Sequence, residues 1–269
     1  MKALAPCVLA LLTGLFPAIA TAQSVTEGVV RLEVLDGGMT ARGTHQAGLR
    51  LTLADGWKTY WRAPGDAGIP PQFDWRGSRN LGAATITWPT PHVFDQNGMT
   101  SIGYATQVVL PVEITPARPG QPVRLRGQVE IGICKDVCIP SSLDFDKVLD
   151  AAAPRSAAIA AALAQRPYSS DEAKVRIATC ALTPIDGGMR LTARITMPSA
   201  GAPEMVVIEP GNPQIWASQA VAVRNGAELT AESDLVHVEK GAYAIDRSQV
   251  RITVLGRSHA VDILGCAPG

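Results

Sequence analysis

The sequence predicts an all-β chain of two sandwich domains joined by a short helical linker. Three observations carry that expectation. Short runs rich in Val, Ile, Leu and Thr recur along most of the 269 residues, punctuated by Gly, Pro, Asp and Asn. The 25 Gly and 20 Pro supply many turns, yet they are too few and too aperiodic for a collagen-like or low-complexity chain. A single alanine-rich stretch, residues 155–165, separates two such β-type halves. Charge excludes other classes. The 24 Lys+Arg balance 24 Asp+Glu, and this neutrality argues against a nucleic-acid binder or a polybasic membrane-surface protein.

Residues 1–22 read as an export signal. Lys2 precedes an apolar stretch over residues 3–19, and Ala20-Thr21-Ala22 supplies a small-x-small cleavage site before Gln23. Read as a membrane anchor, the stretch is interrupted by Pro6, Gly14 and Pro17 and lacks a following basic cluster. No later apolar run reaches about 18 residues, so the expectation is a periplasmic protein with no membrane span in its mature form.

Residues 23–150 form the first expected domain. Residues 28–34 (GVVRLEV) lead into an Asp36-Gly37-Gly38 turn, and residues 48–53 (GLRLTL) alternate before an Asp55-Gly56 turn. Residues 85–88, 107–114 and 123–133 continue the strand pattern. Trp57, Tyr60, Trp61, Trp75 and Trp88 gather here and are expected to dominate the core. Residues 151–167 form the linker: Ala favours a helix, and Pro154 and Pro167 bound it. In residues 168–269, strands are expected at 175–180, 189–195, 204–209, 220–224 and 250–255, with turns at Asp186-Gly187-Gly188 and Asn225-Gly226.

Signal cleavage removes Cys7 and leaves Cys134, Cys138, Cys180 and Cys266, which allow three pairings. Cys180 and Cys266 bracket the second domain. A bond between them reads as a structural staple closing a long loop, worth roughly 4 kcal/mol in the chain-entropy model; the alternative is a second redox pair. Cys134 and Cys138 are different. Ile, Val and Pro140 around them favour a strand entering a Lys135-Asp136-Val137 loop, which would set the two Cα atoms about 4.5–5.5 Å apart, within disulfide range. So small a loop gains little from closure entropy, so exchange is the better reason for the pair. A permanent small-loop bridge remains open. So does a Cu(I) site, since thiolates suit soft metals and His92 or Met99 could add a ligand. Zinc spacing is missing, and no metal or other cofactor is assigned. His45, His237 and His259 are scattered and read as surface or satisfied positions. No nucleophile-elbow, Walker, zincin or dinucleotide motif is present.

The segment Gly56-Trp57-Lys58-Thr59-Tyr60-Trp61-Arg62-Ala63-Pro64-Gly65-Asp66 resembles a "GWHTYWRNPGDSG" type of segment in the N-terminal periplasmic domains of the DsbD and ScsB thiol:disulfide interchange proteins. Ile86-Thr87-Trp88-Pro89-Thr90-Pro91, Gly103-Tyr104 and Val109-Leu110-Pro111-Val112 add to the resemblance, which spans roughly residues 29–150. It implies an immunoglobulin-like fold and a cysteine pair at Cys134 and Cys138 that passes electrons to periplasmic partners. By the same resemblance, Cys138 would be attacked in the mixed disulfide, Cys134 would resolve it, and a cap loop at Phe94, Asp95, Gln96 and Asn97 would shield the pair. Two departures stand out. Three residues separate these cysteines, where DsbD has five and ScsB-like members are nearer three. The chain also lacks the family's transmembrane and thioredoxin-like portions, so a separate donor is expected.

The resulting expectation is a periplasmic thiol–disulfide exchange protein, akin to a protein-disulfide reductase. It would relay electrons from a membrane-bound or thioredoxin-like donor to oxidised periplasmic proteins. A copper-tolerance module using the same thiols, or a scaffold whose disulfides are only structural, are the alternatives.

Overall fold

A computed structural model describes residues 28–269 except 67, 97, 240 and 242; the expected export signal, with Cys7 and Gln23, lies outside the described residues. The first half forms ten strands: β1 (Val30–Met39), β2 (His45–Leu53), β3 (Lys58–Gly65), β4 (Gln72–Asp74), β5 (Leu81–Ile86), β6 (His92–Gln96), β7 (Met99–Ala105), β8 (Gln107–Pro116), β9 (Arg124–Cys134) and β10 (Cys138–Val148). They make two sheets, ordered β1-β2-β8-β5 and β10-β9-β3-β7-β6, with β4 also on β9. Period-two alternation fixes what lies between them. Leu49, Leu51 and Leu53 of β2 meet Leu125, Val129, Ile131 and Ile133 of β9, none more than 4% exposed, around a Trp61 at 0%. Each such side chain contributes about 1.5–3 kcal/mol by leaving water. Trp57, Trp75 and Trp88 are half-buried and pack against this core.

Asp36-Gly37-Gly38 is not a turn between strands. It is an irregularity inside β1, where the pairing with β2 shifts register between Asp36 and Met39. Asp36 Oδ1 accepts the Gly38 N–H at 3.1 Å, and Gly38 takes φ +72, so the strand bends there and continues. Of the two readings expected for His45, the surface one does not hold: it is 2% exposed, within the sandwich.

Helix α1 (Ala157–Ala164) follows, capped by Ser156, whose Oγ accepts the Ile159 N–H at 3.4 Å. Ile159 and Ala162 bury against Leu35 and Val109 on the outside of the β1-β2-β8-β5 sheet. Gly48 makes the seat, since a Cβ there would stand 3.0 Å from Ile159 Cγ1.

The second half forms β11 (Tyr168–Ser169), β12 (Ile177–Ile185), β13 (Gly188–Thr196), β14 (Met205–Glu209), β15 (Ile215–Ala217), β16 (Val221–Asn225), β17 (Glu228–His237), β18 (Arg251–Leu255), β19 (Ala260–Leu264) and β20 (Ala267–Pro268). Sheets β11-β19-β18-β14 and β15-β17-β13-β12-β20, with β16 also on β17, enclose Leu191, Ile195, Leu229, Leu235, Ile252 and Val254, each at 0–1% exposure. Both halves are immunoglobulin-like sandwiches, and the chain is almost entirely β.

The sandwiches are joined by packing as well as by the linker. Leu255 and Ala260 of the second belong to the first sandwich's core cluster, with Met205 and Val207 packed beside them. Arg62 of β3 reaches across: its guanidinium donates to Glu209 at 3.0–3.1 Å and to Thr253 Oγ1 at 3.1 Å, and Asp262 lies 3.5 Å away. The Trp61 ring supports it from below, 4.0 Å from the guanidinium carbon.

Candidate functional site

Strands β9 and β10 form a hairpin whose register sets Cys134 directly opposite Cys138. Lys135, Asp136 and Val137 make the loop, closed by a Lys135 N–H to Val137 carbonyl bond of 3.3 Å. The Cα atoms stand 4.2 Å apart and the sulfurs are bonded, slightly closer than the spacing argument anticipates.

Ile131 and Ile133 point into the core, so Cys134 belongs to the outer face of its sheet, yet it is only 1% exposed. Its cover is Tyr60. Strand β3 pairs with β9 at Lys58 opposite Cys134, and because Trp61 points inward, Lys58, Tyr60 and Arg62 point outward. The Tyr60 hydroxyl lies 2.7 Å from Cys134 Sγ and 3.1 Å from Cys138 Sγ. A disulfide sulfur carries no proton, so the phenol donates. Burial pushes the Tyr60 pKa above its ordinary value, which keeps that proton in place at neutral pH.

Chain after β3 folds back over the Tyr60 ring and holds it. A Cβ on Gly68 would come within 2.9 Å of the ring, and one on Gly132 within 2.8 Å, so both positions need glycine for this closeness. Ile69 lies against Gly132 in the same cover. Tyr60 is therefore buried to 3% exposure on a face that would otherwise meet water. Its expected place in the aromatic core belongs to Trp61; Tyr60 serves the sulfurs instead. Alternation was the available signal, since adjacent aromatics on one strand cannot both point inward.

Cys138 is half-buried, while Lys135, Asp136 and Val137 are exposed, Val137 at 68%. Lys135 Nζ reaches the Asp55 carbonyl at 3.4 Å. Phe94 and Asp95 lie on β6 rather than in an open loop, and β6 turns into β7 in a hairpin. Asp95 Oδ1 accepts the Gly98 N–H at 3.3 Å and so serves that turn. The Gln96 side chain and Asn97 lie outside what the structure describes. Phe94, opposite Ser101, shares the outer face with Tyr60, opposite Gly103. Its ring meets Lys58 Nζ at 4.7 Å and the His92 ring at 6.2 Å. Among the described residues, no three His, Cys, Asp or Glu side chains converge as a metal site.

The other bond, Cys180–Cys266, joins β12 to the chain just before β20, with Cα atoms 5.6 Å apart and a sequence separation of 86. Arg247 Nε donates to the Cys180 carbonyl at 3.0 Å, and the Cys266 N–H donates to the Arg247 carbonyl at 3.0 Å.

These features define a class: a β-sandwich bearing a hairpin-tip disulfide in contact with a buried phenol. Residues 33–150 match the family model described as "Thiol:disulfide interchange protein DsbD, N-terminal", so this part of the chain is similar to that family's N-terminal domain. Among solved structures, the N-terminal periplasmic domain of ScsB from Proteus mirabilis is 20% identical, with 90% of this chain and 94% of that one covered at a TM-score of 0.68. That likeness extends the shared fold over both sandwiches. The DsbD N-terminal domain of Neisseria meningitidis in its reduced form is also 20% identical, covering 46% of this chain and 87% of that one, at a TM-score of 0.27. No curated protein sequence matches. No helix among the described residues is long and apolar enough to cross a membrane.

Proposed function

We propose that this protein is a periplasmic thiol–disulfide exchange protein whose working pair is Cys134 and Cys138. The observation that carries the reading is the Tyr60 hydroxyl within hydrogen-bond reach of both sulfurs of a bond that closes only a three-residue loop. Such a bond adds little to stability, so its chemistry is its purpose. A donor thiolate attacks Cys138 Sγ, the partly exposed sulfur, and the S–S electron pair leaves on Cys134 Sγ. The phenol, 2.7 Å away in the oxidised protein, stabilises that developing thiolate by hydrogen bonding. A second donor thiolate then attacks the donor's own sulfur in the mixed disulfide, leaving the donor oxidised and the pair reduced.

In the forward direction, the Cys138 thiolate attacks an oxidised periplasmic protein's disulfide and forms a mixed disulfide. Cys134 then attacks Cys138 Sγ, which restores the internal bond and releases the acceptor as a dithiol. The donor is a membrane-bound or thioredoxin-like reductase. Phe94 and Asp95, with their hairpin, are the cap that limits access to the sulfurs. Cys180–Cys266 is the structural bond.

Thiol trapping tests this directly. Cys134→Ala leaves Cys138 unable to resolve, so mixed disulfides with periplasmic partners accumulate on non-reducing gels. A Cys134–Cys138 potential below about −300 mV, together with no trapped adduct, would sink the reading in favour of a permanent bridge.

A further inference from the structure

Resting on the exchange reading above, we propose that Lys58 is a positioning residue: its ammonium clasps the Phe94 ring and holds the β6–β7 hairpin closed beside the disulfide. Three observations place it there. Lys58 is the cross-strand partner of Cys134, so the clasp is anchored on the strand pair that carries the buried sulfur. Its Nζ stands 4.7 Å from the centroid of the Phe94 ring, within cation–π range. Phe94, Tyr60 and Lys58 project from the same outer face of the sheet, with Gly103 of β7 between them. Gly103 has no side chain to block the path, and a Cβ there would collide with the Thr59 carbonyl at 2.0 Å. The hairpin's ladder runs from His92–Gly103 to Gln96–Met99 on the edge strand β6, and the His92 ring of that strand also meets Phe94, at 6.2 Å.

The attraction is electrostatic and needs a cation over a ring face; a long side chain alone does not supply it. A clasp of this kind at a half-exposed position changes the open population by a small factor. Releasing it speeds attack on the disulfide by about two- to fivefold. The direction is diagnostic. A cation beside the sulfurs that acted only on an approaching thiolate would accelerate attack, and its removal would slow the reaction.

The experiment measures the rate at which dithiothreitol reduces Cys134–Cys138 in the full chain, in wild type, Lys58→Met, Lys58→Arg, Phe94→Leu and Lys58→Met/Phe94→Leu. Equal unfolding midpoints certify the fold of each variant. Lys58→Met and Phe94→Leu are each expected to react about two- to fivefold faster than wild type. Lys58→Arg, which keeps the cation, stays within about twofold of wild type. In the Phe94→Leu background, Lys58→Met adds nothing. An unchanged or slower Lys58→Met, an effect that persists without the Phe94 ring, or a failure of Arg to restore protection each overturns the clasp. Trapped adducts on Cys134→Ala report on the exchange reading independently, so either idea can fall while the other stands.

Discussion

The two disulfides are the same covalent bond placed in two different mechanical settings. Each joins a fully buried sulfur to a half-buried one, so exposure alone does not distinguish them. Loop length and neighbours do. Cys180–Cys266 has a sequence separation of 86 and neighbours Arg247, whose Nε donates to the Cys180 carbonyl and whose carbonyl accepts the Cys266 N–H, whereas Cys134–Cys138 has a separation of four and is met by a phenol. The first restrains the unfolded chain strongly, and the Arg247 side chain beside it is engaged on the Cys180 carbonyl. The second restrains it weakly and has a donor already aimed at its sulfurs. Function therefore follows from what surrounds a disulfide more than from how open it is.

The sharpest way to break this contrast is to delete each bond. Cys180→Ala/Cys266→Ala is expected to cost about 4 kcal/mol in urea unfolding, and Cys134→Ala/Cys138→Ala about 2 kcal/mol or less. Equal losses would erase the distinction between staple and working pair. Next in size is the ion pair that braces the second sandwich. Burial raises the Glu204 pKa, but hydrogen bonds from Arg224 and the Ala200 N–H outweigh it, and the net shift is downward from 4.5. A depressed carboxyl stabilises the fold above its unfolded pKa, and that contribution is lost as pH falls through the folded value. Glu204→Gln should cost about 2 kcal/mol at pH 7, less than a fully enclosed pair because Arg224 keeps some contact with water. The difference from wild type should shrink as pH drops below 4.5. Stability curves that remain parallel into acid would remove Glu204 from this role.

Tyr60→Phe sharpens the comparison from the chemical side. It deletes one hydroxyl and keeps the ring, so exchange at Cys134–Cys138 should slow roughly tenfold, the value of one hydrogen bond to a charged sulfur. Stopped-flow reduction reports this, and the rate at Cys180–Cys266 under denaturant serves as the unchanged control. The smallest expected effect lies between the two regions. Arg62→Met removes the guanidinium from Glu209 and leaves Asp262 with Arg251, 3.6 Å away, and should cost about 1 kcal/mol, since both carboxylates still reach water. In calorimetry, the one transition expected of joined sandwiches should begin to separate into two.

Much of the architecture was legible because period-two patterns survive in single sequences. GLRLTL became β2, the hairpin around Cys134 and Cys138 was readable from its β-branched flanks, and the Pro-bounded alanine run became α1. Strand β17 was not. Its inward positions are Leu229, Ala231, Ser233 and Leu235, and a buried Ser in the middle hides the stripe. Ser233 sits there because its hydroxyl donates to the Ser218 carbonyl at 2.7 Å, a partner that only the fold supplies. The same holds at the site. The cysteines announce themselves by spacing, while Tyr60 and Lys58 lie some 75 residues upstream and become neighbours only through the β3–β9 pairing. The Asp-Gly-Gly in β1 misled for a related reason: a turn and a bulge ask for the same residues, and only the partner strand decides between them.

Three consecutive residues of β3 do three unrelated jobs: Tyr60 attends the sulfurs, Trp61 fills the core, and Arg62 grips the second sandwich. They can do so because a strand sends neighbours to opposite sides, and the arrangement fails as a unit if the register slips by one. A single residue deleted before Tyr60 would turn a phenol into the core, put an indole on the disulfide and aim the guanidinium away from its carboxylates. This stretch should therefore tolerate point changes far better than insertions or deletions.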